Sequence, residues 1–152
     1  MPESFASRRM RWIFNFFPAY RGSGGRVTYI SADFHEARIR LPLSWRTRNL
    51  VGTIYGGSIY AAVDPFYMIL LIKLLGPQYV VWDKAAEIRF RKPGRGTLFA
   101  TVRIEEEELA AIREATAGRE AIDRTYQLDL VDRDGTPYAT VRKIVYVRRK
   151  PA

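Results

Sequence analysis

Asp64 stands in the middle of the most apolar stretch of the chain, residues 49–75 (NLVGTIYGGSIYAAVDPFYMILLIKLL). Pro65 follows it, and the glycine pair Gly56–Gly57 precedes it near the start of the stretch. A helix beginning at the glycines leaves its first amides without intrahelical partners, at the positive end of the dipole. Glycine lets a ligand approach those amides closely, so Gly56 and Gly57 are candidates for an anion or oxyanion site. Two small residues also let another part of the chain pack close. Pro65 has no N–H, so the helix should kink at Asp64 and place the carboxylate against a cleft. Asp64 fits an acid–base role there, and it equally fits an aspartate paired with a buried arginine or a backbone donor. Eight residues at about 1.5 Å each set Gly56 and Asp64 ~12 Å apart, too far to serve one carbonyl group. Cooperation between them therefore requires Gly56 from one subunit and Asp64 from another.

The elements that must hold these residues follow from periodicity. Residues 4–17 read as an amphipathic helix with Phe5, Met10, Ile13, Phe14 and Phe17 as its apolar face. Pro18 and a GSGG run end it, and residues 26–30 and 34–41 read as a strand pair. After the apolar helix, Val80, Trp82, Ala86, Ile88 and Phe90 alternate with Asp83, Ala85, Glu87, Arg89 and Arg91, the pattern of a half-buried strand. PGRG (93–96) is a turn into a second strand, residues 105–118 a short helix with acids in its first turn, and Asp134–Gly135 the turn of a hairpin. One long apolar helix among antiparallel strands implies an α+β domain whose sheet wraps that helix. The whole chain reads as one domain: residues 1–25 an N-terminal helix and linker, 26–148 the core.

Composition excludes several chemistries. The chain has no cysteine and one histidine, so thiol nucleophiles, disulfides and His- or Cys-based metal sites are absent, and a Ser-His-Asp triad would have to use His35. No G-x-S-x-G elbow is present. Asp64 divides the apolar stretch into segments too short to cross a bilayer, so no transmembrane segment is expected. The N-terminal apolar segment is broken by Arg11 and Asn15, which does not suit a secretion signal and favours a cytoplasmic location. The net charge of +9 suits nucleic acid, an anionic membrane or an acidic small ligand. Basic residues are spread along the chain without a nucleic-acid motif, which argues against nucleic acid. Arg8, Arg9 and Arg11 beside Trp12, Phe14, Phe16 and Phe17 leave peripheral membrane contact open, although covering apolar surface is the expected role of the first helix.

The segment RNLVGTIYGGSIYAAVDP resembles the hotdog-fold acyl-CoA thioesterases of the phenylacetyl-CoA thioesterase type, and the similarity runs from about Arg26 to Val147. In those enzymes an asparagine precedes, by six residues, a histidine followed by two glycines, and an acid lies eight residues after the first glycine. Asn49, Tyr55, Gly56, Gly57 and Asp64 fall at those spacings. The resemblance implies a hotdog fold, with an antiparallel sheet around a long central helix and an extra N-terminal helix, in a homodimer with a homotetramer open. It implies that the Gly56 amide polarises the thioester carbonyl, that Asp64 of the other subunit is general base or nucleophile, and that Asn49 positions the water or the thioester. Tyr55 replaces the family's histidine, and VVWD (80–83) lacks a hydroxyl that some members carry before an acid. Tyr55, Gly57 and Trp82 are then expected to line the acyl pocket, and Arg89, Arg91, Lys92 and Arg95 to hold coenzyme A phosphates. No metal or separate cofactor is expected, coenzyme A being part of the substrate. The departures keep a non-catalytic acyl or acyl-CoA binding module as the alternative.

Overall fold

The computed structural model describes residues 2–151. Six strands form one antiparallel sheet in the order β1-β2-β4-β5-β6-β3. The strands are β1 (Arg26–Ile30), β2 (Glu36–Leu41), β3 (Tyr79–Phe90), β4 (Leu98–Arg103), β5 (Ala121–Val131) and β6 (Pro137–Arg149). The turn after β3 does not close a hairpin. β3 pairs with β6 at one edge, whereas β4 pairs with β2 and β5, so the chain crosses from the edge to the middle of the sheet. Alternation reports which face is buried but not which strand lies alongside. Gly135, at a φ of +83°, makes the β5–β6 hairpin turn.

The sheet wraps an apolar helix in two pieces, α3 (Gly56–Ala61) and α4 (Phe66–Leu75). The break at residues 62–65 is the kink expected from Pro65. Side chains satisfy the carbonyls it exposes: the Tyr20 hydroxyl donates to Ala62 O (2.9 Å), and Lys143 Nζ donates to Asp64 O (2.6 Å). Residues Gly56–Leu75 are long and apolar enough by length and composition to cross a membrane. Here Ala62, Val63, Phe66, Leu70 and Leu71 are instead buried with Ile39, Val141, Val145 and Val147 of the sheet in one core.

Two short helices cap one end: α1 (Phe5–Phe16) and α2 (Pro18–Gly22). Ser4 and Ser7 form a reciprocal capping box at the start of α1, and Pro18 occupies the first turn of α2, where its missing N–H costs nothing. The apolar face expected for α1 is corrected. Met10 and Phe14 pack on the core, but Phe5, Ile13 and Phe17 are exposed. Polar docking to the edge strand sets the rotation. Asn15 Nδ2 donates to Val27 O and Val27 N donates to Asn15 Oδ1 (both 2.9 Å), while Ile30 N donates to Glu3 Oε1 (3.1 Å). These bonds occupy backbone groups that an edge strand would otherwise leave open. The fifth helix, α5 (Glu106–Ala115), follows β4. Its Glu108 accepts from Arg124 Nε (2.8 Å) and from the Tyr126 hydroxyl (2.7 Å), tying it to β5.

Candidate functional site

Gly56 opens α3, and Tyr55 is its N-cap. The first intrahelical bond runs from Ile59 N to Tyr55 O, so the amides of Gly56, Gly57 and Ser58 accept no role in that ladder. Gly56 borders a cleft of about 380 Å³ together with Asn49, Thr53, Ile54, Phe90, Arg91 and Lys92. The glycine lets the Phe90 ring lie close: an added Cβ would sit 2.9 Å from Phe90 Cζ and push the ring aside. A Cβ at Gly57 would sit 2.4 Å from the Tyr55 ring.

Asn49 belongs to this cleft, but its amide is engaged. Oδ1 accepts from Val51 N (3.1 Å) and Thr53 N (3.0 Å), and Nδ2 donates to Thr53 Oγ1 (2.9 Å). The side chain therefore shapes loop 49–53, whose Leu50 and Val51 stand in solvent. Trp45, Arg48, Leu50, Val51 and Tyr55 border a broad open shelf on the far side of Asn49.

Asp64 sits at the kink in a cluster that sequence periodicity does not reveal. The Tyr60 hydroxyl donates to Asp64 Oδ1 (2.6 Å), and so does Lys143 Nζ (2.7 Å). Lys143 is fully buried and also pairs with Asp83 Oδ2 (2.7 Å). Two carboxylates thus share one ammonium. Asp64 Oδ2 has no partner among the described residues, and the side chain is 42% exposed. Asp83 Oδ1 is buried without a partner. Burial, reinforced by Asp64 and opposed by Lys143, pushes the Asp83 carboxyl above the usual aspartate range. Burial, with Asp64 adding to it, also pushes the Tyr60 phenol far up, so Tyr60 stays a donor.

Asp83 reaches Lys143 because of a bulge. The register of β3 on β6 shifts between Asp83 and Ala85, leaving Lys84 as the extra residue. Before the bulge Val81 and Asp83 pair with the buried Val147 and Val145; after it Ala86 and Ile88 pair with the buried Lys143 and Val141. The expected single face is corrected on this ground. Ala86, Ile88 and Phe90 share the inner face, whereas Val80 and Trp82 are on the outer one. Trp82 is 58% exposed and leans on Tyr146 at 5.8 Å, away from the helix and from the Gly56 cleft. Lys143 itself was readable, since Ala139, Val141, Lys143, Val145 and Val147 are one inward face at period two. Asp83 was hidden, because a one-residue bulge reverses the face of every residue on one side of it.

The four basic residues expected at phosphates are divided. Arg91 and Lys92 border the Gly56 cleft. Arg91 also borders a hollow on the outer face with Arg89, Arg142, Gln127 and Thr140, and its Nε donates to Thr140 Oγ1 (2.7 Å). Arg95 is exposed on the 93–96 turn. His35 lies at the other end of the sheet, its Nδ1 against Ile104 O and its Nε2 3.6 Å from Glu106 Oε2, with no serine or threonine hydroxyl bonded to the ring among the described residues. Among the described residues no group of three or more His, Cys, Asp or Glu side chains could hold a metal.

The family profile described as "Domain of unknown function (DUF4442)" matches residues 6–147. The chain belongs to the DUF4442 family. A search of curated proteins finds no match to this DUF4442 chain. Its fold does match solved structures over nearly its whole length. A Pseudomonas aeruginosa protein, PA5026, described as of unknown function and "Probable Thioesterase", is 20% identical, with 98% of each chain covered and a TM-score of 0.84. A protein of unknown function from Chlorobaculum tepidum is 14% identical, with 95% of each chain covered and a TM-score of 0.75. Thioesterase HI1161 from Haemophilus influenzae is 12% identical, covering 97% of this chain and 93% of that one, with a TM-score of 0.69. At these identities the likeness is one of fold. The DUF4442 chain has the hotdog architecture, an antiparallel sheet around a central helix, with α1 added at its N-terminal end.

Proposed function

We propose that this protein hydrolyses acyl-CoA thioesters in a cleft completed by a second copy of the chain. The observation that carries the reading is the cleft at the start of α3, bordered by Arg91, Lys92 and Gly56, whose amide is free of the helix ladder. Such an amide suits the oxygen of a tetrahedral intermediate, and the two cations suit the phosphates of coenzyme A. Asp64 does not border this cleft in its own chain. The second copy's Asp64 would supply the acid, in keeping with the ~12 Å separation along the helix. The exposed shelf of Trp45, Leu50, Val51 and Tyr55 supports an interface there, because apolar side chains this exposed gain by being covered.

The reaction follows from these placements. Water attacks the thioester carbon while Asp64 Oδ2 takes its proton, with Oδ1 held by Tyr60 and Lys143. The Gly56 amide holds the oxyanion. Collapse breaks the C–S bond, and the thiolate of coenzyme A leaves and takes up the proton. Attack by Asp64 itself, giving an acyl anhydride that water then opens, uses the same groups. A specific observation favours binding without turnover as a second reading: the Asn49 amide is held within its own loop, and Asp64 Oδ1 is already ion-paired.

Incubation with acyl-CoAs of varied chain and a thiol reagent separates the two readings. Hydrolysis is expected to fall ~10²–10⁴-fold in Asp64→Asn with the fold and dimer retained. Wild-type turnover in a folded Asp64→Asn dimer would overturn the assignment.

A further inference from the structure

The inner side of α1 is fixed by Met10, Phe14, Asn15 and the capped Ser7. Its outer side carries Phe5, Trp12 and Phe16 on one stripe, seven and four residues apart, with Ile13 and Phe17 alongside. All five are more than half exposed. The stripe is pre-formed, for the Trp12 and Phe16 rings stack at 5.6 Å with 17° between their planes. Arg8 and Arg9 are exposed on the same side, and neither closes an ion pair among the described residues. The nearest acid, Glu3, is held by both Arg11 Nε (2.8 Å) and Arg11 Nη2 (3.0 Å).

We propose that this outer face of α1 docks on an anionic lipid surface. The chemistry of the face selects that partner. Aromatic side chains among arginines suit the bilayer interface, where rings enter the acyl boundary while guanidinium groups bond phosphates. A second copy of the chain fits poorly. Apposing two such faces brings four arginines together, and the one acid nearby is already bonded to Arg11. The net charge of +9 adds long-range attraction to an anionic bilayer. The face is also rigidly joined to the helix kink, because Phe14 packs on Phe66 at 5.2 Å, two residues from Asp64. The inference stands apart from the hydrolase reading, since its readout is lipid partition and not turnover.

Flotation of the full chain tests it, with vesicles of phosphatidylcholine alone and with phosphatidylserine added. Binding is expected only to the anionic vesicles, and it should weaken with salt. An arginine at an anionic surface is worth roughly a fivefold gain in partition, so Arg8→Gln with Arg9→Gln should lower binding about 25-fold. Phe5→Ser, Trp12→Ser and Phe16→Ser together should abolish flotation with melting and circular dichroism unchanged. The two arginine replacements leave the packed face untouched and keep the test valid if the triple variant fails to fold. No binding to anionic vesicles, or binding that ignores both sets of changes, would overturn the proposal. So would light scattering in which the triple variant loses a subunit, since the face would then join copies of the chain.

Discussion

Replacing Lys143 with methionine removes the one cation that, among the described residues, serves Asp64 and Asp83. The ammonium makes three contacts of 2.6–2.7 Å: to Asp64 O, Asp64 Oδ1 and Asp83 Oδ2. Methionine keeps most of the buried volume, so the loss is electrostatic rather than a cavity. Breaking a buried ion pair from one side costs about 3–5 kcal/mol, chiefly through the charge left behind. Asp64 is 42% exposed and can turn to water, whereas Asp83 is 26% exposed and already has one buried oxygen without a partner, so it turns less readily. The expected loss is therefore near the lower end, ~3 kcal/mol, or a fall in Tm of roughly 6–12 °C for a chain of this size. Thermal melting by circular dichroism at neutral pH measures it. Adding Asp83→Leu should recover more than half of the loss, because no uncompensated buried charge remains. A Lys143→Met variant melting with the parent, or one that Asp83→Leu does not rescue, would refute the electrostatic account.

Asp83→Asn alone should stabilise the protein at neutral pH and change the pH profile. Asp83 binds its proton more tightly in the folded chain than in the unfolded one, so it lowers stability as pH rises from the ordinary aspartate value through the raised one. Melting followed from the ordinary aspartate range upward should show that decline in the parent and a flatter curve in the variant. Glu108 behaves oppositely. Burial raises its pKa, but the bonds from Arg124 and Tyr126 outweigh burial and hold it below the usual glutamate range. Its contribution is present above that range and lost as pH falls through the lowered value, so Glu108→Gln should flatten the acid limb of the melting profile. Neutral replacements of Arg91 and Lys92 should raise KM for acyl-CoA far more than for a short thioester without the nucleotide; equal effects on both would assign these residues to structure.

The central helix, its kink at Pro65 and the glycine start were legible because each rests on a local rule: apolar content, a missing N–H, a residue without Cβ. The same rules missed what depends on distant partners. The rotation of α1 is set by Asn15 bonding Val27 rather than by its apolar residues, so Phe5, Ile13 and Phe17 were placed inside when they are outside. The bulge at Lys84 is invisible to alternation, and it exchanges the faces of Trp82 and Asp83. The sequence leaves Asp64 open between an acid–base role and pairing with an arginine or a backbone donor, and the group that pairs with it is a lysine from the last strand. Lys143 carried a signal, a charge in an inward row of valines, but its meaning required knowing that β6 lies next to β3.

That position of β6 also governs how the chain can be completed as it is made. β3 is synthesised long before β6 but has no other strand to pair with, and β5 meets β4 through a single residue pair. Until β6 emerges, a nascent chain holds two long strands with open edges and two aspartates without a counter-ion. Insertion of β6 then closes the facing edges of β3 and β5 and brings Lys143 to Asp64 and Asp83, while β3 stays the edge strand of the sheet. A β5–β6 turn at Gly135 that forms late therefore leaves these facing edges open for longer, exposed to pairing with neighbouring chains.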